Sequence, residues 1–230
     1  MKYYVYLSDS KLEMLHDQLA HSTDEVREAS LGFDVKVLKG ELKTGRKPSA
    51  TKYTRLESVL EALQSSDEVG NVWSRKPYIY GQLPMVWASF GFHRFAEDDK
   101  KAPITFWGYM DDHIAVGLAG SDYHVLGQTR PDGYAHSHSG THAITSWLIK
   151  HVADTPDSTT EETPPLFRRP FRDDDSNCIY LAVSQIKGTS HRFEFVAKVL
   201  NRSRTFDPYE SPDRTVNVLL ATPIYVAQLD

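Results

Sequence analysis

Gly120-Ser121-Asp122-Tyr123-His124, then Arg130, then His136-Ser137-His138-Ser139-Gly140-Thr141-His142 form the densest run of chemically able groups in the sequence, with four of its ten histidines. The first cluster leaves the end of an alternating apolar run, and the second leads into residues at helical spacing. A helix amino terminus presents backbone N–H groups without partners and the positive end of the helix dipole. It therefore attracts phosphate or carboxylate, and adjacent hydroxyls add donors. Ser121, His124, Arg130, Ser137, His138 and Ser139 are accordingly the candidate contacts for a small anionic ligand, nucleotide-like molecules included, and the expected function is that of a binding or sensor protein. The dipole also favours the neutral imidazole, which leaves His138 able to give or take a proton. Helix capping by Ser137, Ser139 and Thr141 is the plainer account of the same hydroxyls.

His124 and His138 would together make an acid/base pair, because imidazole changes protonation near neutral pH. On that alternative the protein is a hydrolase or lyase acting on a similar molecule. A serine nucleophile has less behind it: histidines lie near Ser121, Ser137 and Ser139 in sequence, but no Gly-x-Ser-x-Gly turn is present. A zinc site from His136, His138 and His142 is a further alternative, the first two pointing the same way in an extended segment. It lacks the His-Glu-x-x-His spacing of a helical site, and no cofactor is predicted. Aromatics crowd the centre of the chain: Trp73, Tyr78, Tyr80, Trp87, Phe90, Phe92, Phe106, Trp107 and Tyr109. Most belong in a core, but strand alternation sends some to the opposite face, where Trp87 is the candidate to stack on a planar ligand.

These groups need a scaffold that brings strand ends and a helix start together. Residues 3–7 read as a strand, and Leu12, Leu15 and Leu19 as a helix with Ser10 and Glu13 at capping-box spacing. Phe33, Val35 and Val37 alternate as a strand running to Leu42, followed by a turn at Gly45, Lys47 and Pro48. Tyr53, Leu56, Val59, Leu60 and Leu63 predict a second helix, with Thr54 and Glu57 at its cap. Strands follow over 78–80, 85–92, 104–109 and 114–118, the last two joined antiparallel through Asp111 and Asp112. In the last of them Ala115, Gly117 and Ala119 leave one face bare, fit for a closely packed helix or a ligand. Ala143, Ile144, Trp147, Leu148 and Val152 predict a third helix beginning near Ser139 or Thr141. Residues 154–177 carry Pro156, Pro164, Pro165 and Pro170 with a basic island at Arg168, Arg169 and Arg172, and read as a mobile loop. A protein-interaction module acting through that loop is the third functional alternative. Ile179, Ala182, Val183 and Ile186, then Phe193, Val196, Ala197 and Leu200, predict a helical hairpin broken at Gly188. Residues 216–226 read as an edge strand or two short strands interrupted by Pro223. The sum is a single α+β domain over residues 1–230, with a mixed, largely antiparallel sheet, packed helices and the hairpin in its carboxyl-terminal half.

A chain of 230 residues buries a core without a metal or disulfide staple. One cysteine, Cys178, excludes an internal disulfide and fits a reducing compartment, so a cytoplasmic location is expected. Ser8, Asp9, Ser10, Lys11 and Glu13 interrupt the opening segment, which therefore lacks a signal-peptide core, and no apolar run is long enough to span a membrane. A net charge of −5 gives no field favouring nucleic acid, and the basic stretch Lys36, Lys39, Lys43, Arg46 and Lys47 accompanies no nucleic-acid motif. Phrases across the chain resemble those of a family of uncharacterised bacterial, largely actinobacterial, proteins of unknown function. They are Tyr4-Val5-Tyr6-Leu7-Ser8-Asp9-Ser10-Lys11, Leu83-Pro84-Met85-Val86-Trp87, Gly117-Leu118-Ala119-Gly120-Ser121, His124-Val125-Leu126-Gly127, Ser137-His138-Ser139 and Thr222-Pro223-Ile224-Tyr225-Val226. The resemblance implies one domain family and brings no catalytic assignment.

Overall fold

The computed structural model describes residues 2–30, 51–90, 104–127, 175–207 and 211–230. Their elements run β1 (Lys2–Leu7), α1 (Asp9–Ser30), α2 (Lys52–Ser65), β2 (Val69–Gly70), β3 (Tyr78–Phe90), β4 (Ile104–Met110), β5 (Ile114–Ser121), α3 (Asp175–Gln185), β6 (His191–Asp207) and β7 (Ser211–Leu229). A single 3-10 turn, Asp122–His124, follows β5. Contacts divide the chain into two compact units, Met1–Leu7 with Gly70–Asp230, and Ser8–Val69.

In the smaller unit α1 packs on α2. Leu12 and Leu15 of α1 and Leu56, Val59 and Leu63 of α2 are buried, the spacing that predicted both helices. Both caps fall earlier than expected. The Leu12 N–H donates to the Ser8 carbonyl, so α1 opens ahead of the Ser10–Glu13 pair. Thr51, not Thr54, caps α2, its hydroxyl accepting from the Thr54 N–H at 3.3 Å. A capping residue must stand half outside its helix, and Ser10 and Thr54 are already inside theirs.

The larger unit is built on a sheet that closes. β3 pairs with β4, β4 with β5, β5 with β7, β7 with β6 and β6 with β3. Only β5–β7 in that circuit is parallel, and β1 adds antiparallel to β7 from outside it. Two strands make closure possible by changing partners along their length. β3 gives residues 78–85 to β6 and residues 86–90 to β4. β7 gives residues 217–221 to β5 and residues 225–229 to β1, while β6 runs beside nearly all of it. The enclosed face carries one apolar cluster, with Ile79, Met85, Trp107, Leu118, Phe195 and Leu219 among its members. The outer face carries a second, in which α3 covers Phe106, Ala115, Ala119, Val218 and Leu220.

This architecture corrects the expected α+β class: the fold is dominated by its sheet, and the helical hairpin does not form. Its first half is present as α3, but residues 193–200 lie in β6. Phe193, Phe195 and Ala197 belong to the enclosed cluster, while Val196 faces outward and is also buried. A strand covered on both faces loses its two-residue alternation, so its apolar positions imitate helical spacing. The interruption at Pro223 is likewise absent, β7 being continuous and central. Pro223 falls between the stretches paired with β5 and β1 and beside a register shift against β6, where the ladder is already irregular and a proline is tolerated. The expected break between residues 80 and 85 also vanishes, since 78–90 form one strand, and residues 175–177 of the proposed loop already belong to α3. The bare face of β5 takes the helix: a Cβ on Gly117 would lie 2.7 Å from Phe106 Cζ and 3.6 Å from Ile179 Cγ2. The strand at 33–42, the helix from Ser139 or Thr141 and the rest of 154–177 lie outside the described residues. No described helix is long and apolar enough to cross a membrane.

Candidate functional site

Register decides which side chains meet at one end of the closed sheet. Trp87 stands opposite Trp107 and Ser89 opposite Thr105 across β3–β4, while Thr105 faces Gly120 and Trp107 faces Leu118 across β4–β5. All therefore share the enclosed face with Leu118. Asp122, in the turn after β5, closes this end: its Oδ1 accepts from Ser89 Oγ at 2.9 Å and from Thr105 Oγ1 at 2.7 Å. Thr105 is wholly buried and Ser89 exposed, so the carboxylate links the interior to the surface.

An aromatic file lies beside that cluster. Trp87, 39% exposed, is stacked on Trp107, 1% exposed, with ring centroids 6.4 Å apart and planes at 19°. Tyr6 of β1 meets Trp107 edge-on at 5.3 Å and the buried His124 at 5.8 Å. Gly120 makes room for this approach, since a Cβ there would lie 2.3 Å from Tyr6 Oη. The turn is held to β1 by a bridge between Tyr6 and Val125 and by the Leu126 N–H on the Val5 carbonyl at 2.9 Å. Trp107 Nε1 is buried with no acceptor among the described residues. An indole nitrogen only donates, and leaving such a donor unsatisfied costs about 1–3 kcal/mol.

A second polar group occupies the outer face. The Glu194 side chain, 7% exposed, receives Lys2 Nζ at 2.5 Å and Tyr225 Oη at 2.7 Å on one oxygen. The other oxygen receives Gln82 Nε2 at 3.1 Å and Tyr80 Oη at 3.3 Å. Burial works to raise the Glu194 pKa, but the bonds from Lys2 and Tyr225, the Lys2 charge and the Gln82 bond outweigh it and hold the carboxyl below its usual value. Burial and the same carboxylate push the Tyr225 phenol well above its usual value. Every strong acceptor position of Glu194 is thus occupied, and the group ties β1, β3, β6 and β7 together.

Residues 2–230 match the model of a Family of unknown function (DUF7019). The chain belongs to that family. No curated protein and no solved structure matches it.

Of the contacts expected from the DUF7019 sequence, Trp87, Ser121 and His124 are among the described residues and lie at the same end of the closed sheet. Trp87 and His124 are joined through Trp107 and Tyr6. The Ser121 hydroxyl accepts from the Tyr123 N–H at 3.2 Å, a capping role in a turn of three residues. Arg130, Ser137, His138 and Ser139 lie outside the described residues, as do the metal alternatives His136, His138 and His142. The pairing of His124 with His138 lies outside them too. Among the described residues no three His, Cys, Asp or Glu side chains are grouped to hold a metal. Sequence reasoning passed over Ser89, Thr105 and Tyr6 at this end, and the whole Glu194 group. One signal for the first two exists: Trp87-x-Ser89 and Thr105-x-Trp107 put a hydroxyl and an indole on one face of adjacent antiparallel strands.

Proposed function

We propose that the protein binds a small planar ligand, nucleobase-like in its ring and hydrogen-bonding edge, at the end of the closed sheet marked by Trp87. One observation carries this reading: a half-exposed indole lies stacked on a buried one whose N–H has no acceptor among the described residues, beside the Ser89–Thr105–Asp122 cluster. A planar ring stacks on the open face of Trp87, and its polar edge exchanges hydrogen bonds with Ser89 and Asp122. An anionic group on the same ligand would call on Arg130, Ser137, His138 and Ser139. A cytoplasmic setting belongs to the same reading and rests on the single cysteine, Cys178, buried in α3.

Mass spectrometry of small molecules released from the purified protein, followed by titration of nucleosides and nucleoside monophosphates against intrinsic tryptophan fluorescence, tests it. Trp87→Ala is expected to weaken binding about tenfold or more at an unchanged melting temperature, as base–aromatic stacking is worth about 1–3 kcal/mol. Tighter binding of the monophosphate than of the nucleoside would support the anionic part. Absence of any saturable quenching, or equal affinity in Trp87→Ala, would overturn the proposal.

A further inference from the structure

Arg202 of β6 stands opposite Leu219 of β7, which in turn neighbours Val116 of β5. It therefore lies toward the start of β5, away from Gly120, and on the face of the enclosed cluster that contains Val72, Ile114 and Leu219. Its Nη1 donates to the Val72 carbonyl at 2.7 Å, while its Nη2 is buried with no acceptor among the described residues. The segment that supplies Val72 is fixed. Asn71 Oδ1 accepts from the Trp73 and Ser74 N–H groups at 2.9 and 3.0 Å, and Ser74 Oγ donates to the Asn71 carbonyl at 2.7 Å. Beyond it, the Val199 N–H of β6 donates to the Pro77 carbonyl at 2.9 Å.

A guanidinium does not shed its proton, so one set against an apolar interior ordinarily has a carboxylate beside it. Here the turn that carries Arg75 is tied to β6 on both sides, by Arg202 on the Val72 carbonyl and by the Val199 N–H on the Pro77 carbonyl, and burial first, then the like charge of Arg75, push the Arg202 pKa down. Among the described residues neither arginine is in an ion pair with a carboxylate. Arg75 is exposed, so it can approach a solute from the solvent side. We propose that Arg202 and Arg75 form a binding site for a phosphate group, free or carried as an ester on a small molecule, independent of the Trp87 end. Arg202 is itself only half-buried, and once its side chain turns outward a phosphate oxygen accepts a hydrogen bond from Nη2 while its charge offsets both cations, which the fork of a guanidinium suits better than an ammonium does.

Isothermal titration of the full chain with inorganic phosphate and with glycerol phosphate, at constant ionic strength and with chloride as control, tests this site. One saturable site is expected for the wild type, weakened about tenfold in Arg75→Ala, the loss of one charge-assisted bond, and weakened also in Arg202→Lys, which keeps the charge without the fork. A preference for glycerol phosphate identifies an ester and the reverse a free ion, and either supports the site. Trp87→Ala is expected to leave phosphate binding unchanged, separating this result from the planar-ligand reading. No saturable heat in the wild type, or equal affinity in the exposed-loop variant Arg75→Ala, overturns it.

Discussion

A buried carboxylate that receives four side-chain donors, as Glu194 does, is worth most as an anion, and its replacement shows how much. Glu194→Gln keeps the shape but turns an acceptor oxygen into a donor facing other donors. It is expected to cost about 2–3 kcal/mol, read as a lower urea midpoint at pH 7. The pH dependence has a definite sign. Because the folded state holds the Glu194 carboxyl below its usual value, its contribution is complete above the unfolded value of about 4.3 and is lost as pH falls through the folded one. The stability gap between wild type and Glu194→Gln should therefore narrow as the medium is acidified below that value. A gap that stays constant would show that packing, not charge, is what Glu194 supplies. The Lys2 end of the pair, raised in pKa, loses its share only as pH rises through its folded value, and being 41% exposed it is worth little. At the other face, Thr105→Val removes one of the two hydroxyls on Asp122 and should cost about 1–2 kcal/mol in the same measurement.

Gly117 belongs to the scale of elements, because what it permits is the close approach of the Phe106 ring of β4 beneath α3. The Phe106 ring already occupies the space a Cβ would need, and Ile179 Cγ2 stands at contact distance behind it. Gly117→Val is expected to destabilise by about 1–3 kcal/mol through overpacking, visible as a lower thermal midpoint with the strand signal in circular dichroism retained. The turn between β4 and β5 rests on Asp111, whose Oδ1 accepts from the His113 and Ile114 N–H groups at 2.8 and 2.9 Å. Elements of this local kind were legible: α1, α2, α3 and the β4–β5 hairpin follow from spacing and turn chemistry within a dozen residues or so. β6 was not, because burial on both faces erased its alternation, and β7 was cut at Pro223 because a proline's effect depends on whether a partner strand lies beside it. Both facts are tertiary and no window of sequence contains them. The candidate site divides the same way. Chemical density marked Ser121 to His124, but the partners of Asp122 lie 17 and 33 residues away and only strand register brings them in.

For the whole molecule the organising element is β7, bonded to β1, β5 and β6. Amides of residues 218–221, laddered on both sides within two apolar clusters, should exchange with deuterium only through global opening, and peptides from β1 earlier. Equal rates in the two would show that β1 and the closed circuit unfold as one. The same topology constrains the order in which the molecule is made. Until residues 211–229 have left the ribosome, β5 has β4 on one side and no parallel neighbour on the other, and β6 lacks its main partner. The nascent chain thus carries a raw edge on β5 from the time that strand emerges, joined late by a second on β6, of the kind that invites pairing with other chains. The emergence of β7 is then what converts an edge-bearing intermediate into a sheet with far less edge, and slow emergence of that segment would prolong dependence on chaperones.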